Sequence, residues 1–241
     1  LAAWAAGPAD TPISSAEDWA RWARAPEAIG REGKPDVAFL PPAVRRRATR
    51  LTRMMLQVAF DATEDEERSA MRTVFASRHG AIHVAVRILA SIGREEAVSP
   101  LQFSHSVHNA QAGLFSIAAQ NRQASSSIAA EEDTFGHGFL EAMLQLERGG
   151  SAPVLLVVAD EPVPDNLAHL VDEPEGAYAL ALVLAREGAG RALEFSMAPA
   201  ETEGAKRAWP DALEFVRVLE SDETELALGH SRRRWSWKKT S

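Results

Sequence analysis

The stretch SSSIAAEEDTFGHGFLEAM, residues 125–143, places Glu131, Glu132, Asp133 and Thr134 between a strand-like segment and the start of a helix. Enzymes of the α/β class mount a nucleophile on such a turn, where the helix dipole favours developing negative charge. Here the turn carries acids instead. Three readings stand at this point: an elbow with acid chemistry, a helix cap whose carboxylates accept backbone N–H bonds, or an elbow without its nucleophile. His105-x-x-His108 would set two imidazoles on one helix face, but a zinc site needs a third ligand, and there is neither an HExxH pattern nor a thiolate. Ser125–Ser127 lack the GxSxG frame of a hydrolase elbow and read as serines entering a strand. Gly136-His137-Gly138 lacks the GxGxxG spacing of a dinucleotide site.

Composition narrows the chemistry further. The 241 residues contain no cysteine, so no thiolate nucleophile, disulfide or thiolate-bound metal is available. A formal net charge of −8 argues against general nucleic-acid binding. Two basic clusters run against that balance: Arg45, Arg46, Arg47, Arg50 and Arg53, then Arg232–Arg234 with Lys238 and Lys239. They read as solvated faces or as docking surfaces for an acidic partner. The apolar runs at 152–159 and 177–185 are about half a membrane span. No basic segment precedes the apolar opening, so neither a signal peptide nor a membrane span is expected, and the cytoplasm is the expected compartment.

The elements that must position these residues follow from periodicity. Ser14-Ser15 before Glu17-Asp18 predicts a capped helix carrying Trp19 and Trp22. Leu51, Met54, Met55 and Val58 recur at helical spacing over 43–60. TVFAS at 73–77 predicts a buried strand, and 81–92 a well-buried helix through Ile82, Val86 and Leu89. Residues 104–120 predict one helix with Val107, Leu114 and Ile117 on its inner face. A strand over 125–130, a helix over 134–148 and the apolar strand 152–160 follow. Paired strands are expected over 176–186 and 192–200, then a helix over 212–219. Alternating strands and helices predict an α/β chain with a mostly parallel sheet, helices on its faces and antiparallel strands at the end. It reads as a single domain, 1–241, with a helical or irregular extension over 1–40 and a polar basic tail over 220–241.

The stretch SPLQFSHSVHNAQAGLFSI, 99–117, resembles the β-ketoacyl synthases, specifically the short synthase-like proteins of aryl polyene gene clusters. EDTFGHGFLEA (132–142), VLLVVADEP (154–162), EGAYALALVL (175–184) and the arginine-rich 45–56 support the same likeness. It implies the N-terminal half of a thiolase-like fold. In full ketosynthases the elbow carries a cysteine, and two active-site histidines come from a second half that this sequence does not show. The resemblance places the elbow at Glu131–Thr134, where no cysteine stands. It therefore implies a chain-length-factor-like subunit without condensing activity or cofactor. Such a subunit pairs as a heterodimer with a cysteine-bearing β-ketoacyl synthase and shapes the acyl tunnel.

By the same resemblance, Ser125–Ala130 would join the partner's sheet. Ser104, His105, His108, Asn109, Gly113, Ser116, Ser127, Ile128 and Phe135 would lie at the interface or tunnel. Arg45, Arg46 and Arg50 would help an acyl carrier protein dock. A half-fold is expected to leave one sheet or helix surface uncovered. The alternative is a stand-alone acyltransferase or hydrolase using Asp133, His137 or His108.

Overall fold

In chain order the computed structural model, which describes residues 1–7, 11–150, 152–171, 175–188, 190–200, 207–230 and 232–240, begins with β1 (Ala2–Ala5), α1 (Ala16–Arg24), α2 (Pro42–Arg47), α3 (Arg50–Asp61) and α4 (Asp65–Ala70). Then come β2 (Arg72–Ala76), α5 (Ile82–Gly93), α6 (Pro100–Ser106), α7 (Ala110–Ala118) and β3 (Ser125–Ile128). The chain continues through α8 (Thr134–Arg148), β4 (Val154–Asp160), β5 (Tyr178–Leu184) and β6 (Leu193–Pro199), and ends with α9 (Asp211–Glu220), β7 (Glu225–Gly229) and β8 (Arg233–Lys239).

The main sheet has the order β1-β5-β4-β2-β3. Strands β3, β2 and β4 are mutually parallel, while β5 runs antiparallel to β4 and β1 antiparallel to β5. The first six residues of β4, Val154–Ala159, are all buried, as an apolar strand covered on both faces must be. On one face, α3 and α7 pack Leu51, Met54, Met55, Val58 and Phe115 against Phe75, Leu155 and Val157. On the other, α8, α9 and the tryptophans of α1 cover Val74, Leu156 and Leu180. A second sheet, β6-β8-β7, is antiparallel throughout and adds Trp235 and Trp237 to that same core.

Four expectations change. The segment 220–241 is no polar tail: β7 and β8 form a hairpin whose alternating Trp235 and Trp237 are fully buried. The 1–40 extension is partly core, because β1 adds the outer strand beside β5 and the Trp19 indole donates to the Ala3 carbonyl at 2.9 Å. Parts of both terminal segments, 8–10, 231 and 241, lie outside the described residues. Strands β5 and β6 do not pair with each other; β6 leaves the main sheet for β8. Of the expected uncovered sheet or helix surface only the helical part stands: α8, α9 and the small sheet close the sheet face, while large apolar side chains of α5–α7 stay exposed.

The helical region between β2 and β3 departs most. The expected helix over 104–120 is broken at 107–109 into α6 and α7, and Val107 and Ile117 point to solvent. Helix α5 buries only Val84 and Ile88, while Leu89 and Ile92 are exposed.

Candidate functional site

The elbow lies where β3 leaves the sheet. Its last strand residue is Ile128, and α8 begins at Thr134 after a 3-10 turn over Glu131–Asp133. Glu131 has φ of +50°, in the left-handed region. A non-glycine residue there costs about 1–2 kcal/mol and needs its surroundings to hold it. Part of that hold is local. The Thr134 hydroxyl accepts from the Ala130 N–H at 3.0 Å and donates to the Glu131 carbonyl at 2.7 Å.

Asp133, the residue that precedes α8, makes no side-chain capping bond to its first turn, contrary to the capping reading. The Asp133 carboxylate, 7% exposed, accepts instead from the Trp235 indole N–H at 2.6 Å, with Arg233 at 3.6 Å from its other oxygen. Glu132 lies 3.7 Å from His230 Nδ1, whose Nε2 sits 2.8 Å from Asp211. Glu131 itself is exposed. Beyond the turn, a Cβ at Gly136 would stand 2.4 Å from the Trp235 ring, so only glycine admits the indole there.

The expected interface residues divide. Ser127 and Ile128 are half-buried on β3, an edge strand of the main sheet opposite β1. Ser126 donates to Glu141 of α8 at 2.8 Å, in keeping with serines built into a strand. Ser104, His108, Asn109 and Gly113 are exposed and Ser116 is half-buried. Around them Leu89, Ile92, Leu101, Phe103, Val107 and Ile117 stand 41–66% exposed, an apolar surface spread over α5–α7. Phe135 is corrected: it is buried among Phe139, Phe215 and Trp237 and faces no interface.

The two histidines do not share a helix face. His105 lies in α6, with Nε2 buried and without a partner, and burial and the Arg47 charge push its pKa down. His108 follows the end of α6, with Nε2 3.3 Å from the Ser77 carbonyl. Among the described residues no group of three or more His, Asp or Glu could hold a metal ion. Of the three docking arginines, Arg50 turns inward to Glu161 at 2.5 Å, with its side chain 20% exposed. Arg45 is half-buried against the Ala38 carbonyl, which leaves Arg46 exposed.

Of the groups expected in a stand-alone enzyme, Asp133 and His137 both meet Trp235, while His108 lies against Ser77. The Asp133 carboxylate takes the indole N–H, and His137 packs edge-on against the ring at 5.0 Å. Burial and then Arg233 lower the His137 pKa, against the pull of Asp133. Asp160, half-buried at the end of β4, is the acid that sequence reasoning missed. It accepts from the Ser77 hydroxyl at 2.8 Å and from the N–H groups of Arg78 and His79 at 3.1 Å. Burial raises its pKa despite those bonds. It shapes the 77–80 loop on which His108 rests.

The profile of the β-ketoacyl synthase N-terminal domain matches residues 19–238. The chain belongs to that family. No curated protein sequence matches it. Among solved structures, this synthase-family chain is similar to one in "Ketosynthase (ApeO) in Complex with its Chain Length Factor (ApeC) from Xenorhabdus doucetiae". The TM-score is 0.82 at 25% identity, over 98% of this chain and 96% of that one. The ishigamide ketosynthase/chain length factor gives 0.60 at 16% identity, over 81% of this chain and 66% of that one. A β-ketoacyl synthase from Burkholderia phymatum STM815 gives 0.58 at 12%, over 91% and 69%. This chain thus spans about two thirds of the latter two, and those likenesses concern the fold, which is thiolase-like. Among the described residues no helix is long and apolar enough to cross a membrane.

Proposed function

We propose that this chain is a chain-length-factor-like subunit without condensing activity of its own, paired with a cysteine-bearing β-ketoacyl synthase in polyene biosynthesis of the aryl polyene, type II polyketide or fatty-acid-like kind. The observation that carries the reading is the elbow. Its backbone keeps the strand, left-handed turn and helix of a nucleophile mount, with Glu131 at the turn and no thiol anywhere in the sequence. Condensation needs a thiolate that takes the acyl chain as a thioester and donors for the oxyanion of the extender. A carboxylate is a poor acyl carrier at neutral pH, and its charge opposes an oxyanion beside it.

Two features support a partner. Strand β3 is one of the two edge strands of the main sheet, so it can take another chain's strand. The apolar surface of α5–α7 belongs to the same β2-to-β3 connection, and surfaces of that kind mark protein contacts. The similarity to a chain from a complex of a ketosynthase with its chain length factor points the same way. The acyl carrier protein would reach the pair rather than this chain alone, with Arg46 the exposed member of the expected docking set.

The test is to supply acyl- and malonyl-carrier protein to this chain alone, to a cysteine-bearing synthase encoded beside it, and to the co-expressed mixture. Carrier-bound products are then weighed. The chain alone is expected to elongate nothing, and the mixture to give longer products than the synthase alone. Elongation by the isolated chain, or a mixture that never forms a complex, would reject the reading.

A further inference from the structure

We propose that α5 and α6, with the turn between them, form an arm that opens and closes as one unit on the rest of the molecule, and that the His83 ring is its latch. The arm belongs to the isolated chain; only its consequence for pairing rests on the preceding reading.

Residues 81–106 have a small core of their own. Ala81, Val84 and Ile88, with Val98 packed on them, form a cluster separate from the two that cover the main sheet. Those two clusters and the sheet between them are the body on which the arm sits. The helices of the body are deeply seated: α3 buries seven of its twelve residues and α8 seven of its fifteen. By contrast, α5 buries Val84 and Ile88 alone, and α6 buries none of its seven residues. Helices this short are marginal in water and owe their persistence to packing. Segments with few buried apolar side chains open at a lower free energy than the fold as a whole. On that ground 81–106 opens first.

Both roots of the arm stand on one residue. At its entry the N–H of Gly80, whose φ of +56° is left-handed, donates to the Ser77 hydroxyl at 2.9 Å. At its exit His108 Nε2 lies 3.3 Å from the Ser77 carbonyl. Ser77 in turn donates to Asp160, at the end of β4, at 2.8 Å. Beyond the exit, α7 returns to the body, with Phe115 fully buried beside Phe60 and Phe75. Entry and exit are thus fixed side by side, and the length between them can swing about that point. Among the described residues, one hydrogen bond runs from 81–106 to the body: His83 Nε2 donates to the Pro162 carbonyl at 2.8 Å. A carbonyl only accepts, so Nε2 carries the proton. His105, on α6, leaves its buried Nε2 without a bond. The arm carries Leu89, Ile92, Leu101 and Phe103, each more than half exposed. Opening therefore moves that apolar surface relative to the β3 edge, and a partner that meets both must hold the arm shut.

Hydrogen exchange of the ¹⁵N-labelled full chain, followed residue by residue by NMR at one pH, tests this. Amides of α5 and α6 are expected to share one protection factor, about a hundredfold below those of α3 and α8. His83→Phe keeps a ring and removes the donated N–H. It is expected to lower protection in α5 and α6 about fivefold, the weight of one hydrogen bond, and to leave α3 and α8 unchanged. Should that variant unfold, the profile of the unchanged chain decides. Equal protection in all four helices would overturn the proposal, as would a protected α5 beside an unprotected α6. A His83→Phe chain whose protection is unaltered, or falls equally in all four helices, would overturn the latch. No partner is present, so the result is independent of whether the chain pairs with a synthase.

Discussion

The two ends of the β2-to-β4 crossovers are finished in opposite ways. Beside α8, six aromatic rings — Phe135, Phe139, Phe195, Phe215, Trp235 and Trp237 — interlock with centroid separations of 4.8–6.3 Å between neighbours. The polar groups at the elbow find partners within the chain. Beside α5–α7, the separate core is Ala81, Val84 and Ile88 with Val98 packed on it. There, large apolar side chains face outward, whereas buried polar atoms without a bond occur on both sides, His105 Nε2 and Gln111 Nε2 here and Trp237 Nε1 and Gln145 Oε1 beside α8. A chain that can close an aromatic core over its elbow is able to bury such residues. It leaves Phe103 and Ile117 outside, and under the proposed pairing these two would meet the partner subunit.

The comparison breaks most readily at Trp237, which is 2% exposed in the middle of the aromatic cluster. Trp237→Ala is expected to lower stability by about 3–5 kcal/mol, the range for a large aromatic removed from a core. The midpoint of urea unfolding measures it. A loss under about 1 kcal/mol would show that the hairpin is an accessory and that α8 and α9 close the sheet alone.

Next in size is Gly136→Ala. The added methyl meets the Trp235 indole at a separation no Cβ tolerates, so either the ring or α8 must move. Overpacking of this kind costs about 1–3 kcal/mol. The indole N–H bond to Asp133 should weaken with it, visible as an upfield shift of that N–H resonance. A variant of unchanged stability with the resonance in place would mean that the hairpin stands off the elbow in solution. The same change at Gly113, where a Cβ meets nothing within 4 Å, should leave the fold intact.

Much of the main sheet was legible because its signals are local. The run 154–160 is apolar without alternation, and a strand buried on both faces has to be. Leu51, Met54, Met55 and Val58 repeat at helical spacing and are buried as that spacing predicts. The hairpin was missed although RWSWK alternates as a strand with both tryptophans on one side. Its flanking charges read as a tail, since charge density is conspicuous and period two over five residues is not. The elbow's place was legible and its chemistry was not. Nothing in the residue types Glu131-Glu132-Asp133 reveals a left-handed backbone or an indole arriving from a hundred residues away. Periodicity over 81–92 and 104–120 marked apolar positions, but it gave neither the break at 107–109 nor the split between buried Val84, Ile88 and Leu114 and exposed Leu89, Val107 and Ile117. Nor does it say whether a cover lies in the same chain.

That last ambiguity yields the smallest effect on folding and the sharpest test of the comparison. Phe103 and Ile117 are 62% and 64% exposed on α6 and α7, so replacing both with serine removes little buried area from the isolated chain. Surface changes of this sort stay within about 0.5 kcal/mol of the unchanged protein. If the surface is an interface, the pair of changes deletes two apolar anchors. Affinity for the cysteine-bearing synthase should then fall at least tenfold, as anchor residues do when truncated. Calorimetry of the two purified proteins reads the affinity, and urea unfolding of the isolated variant reads the fold. Unaltered affinity with an intact fold would move the contact off α6 and α7 and leave the β3 edge to carry it. A loss of several kcal/mol of stability would mean that these side chains pack within the chain, and the contrast between a closed elbow side and an open helical side would not survive.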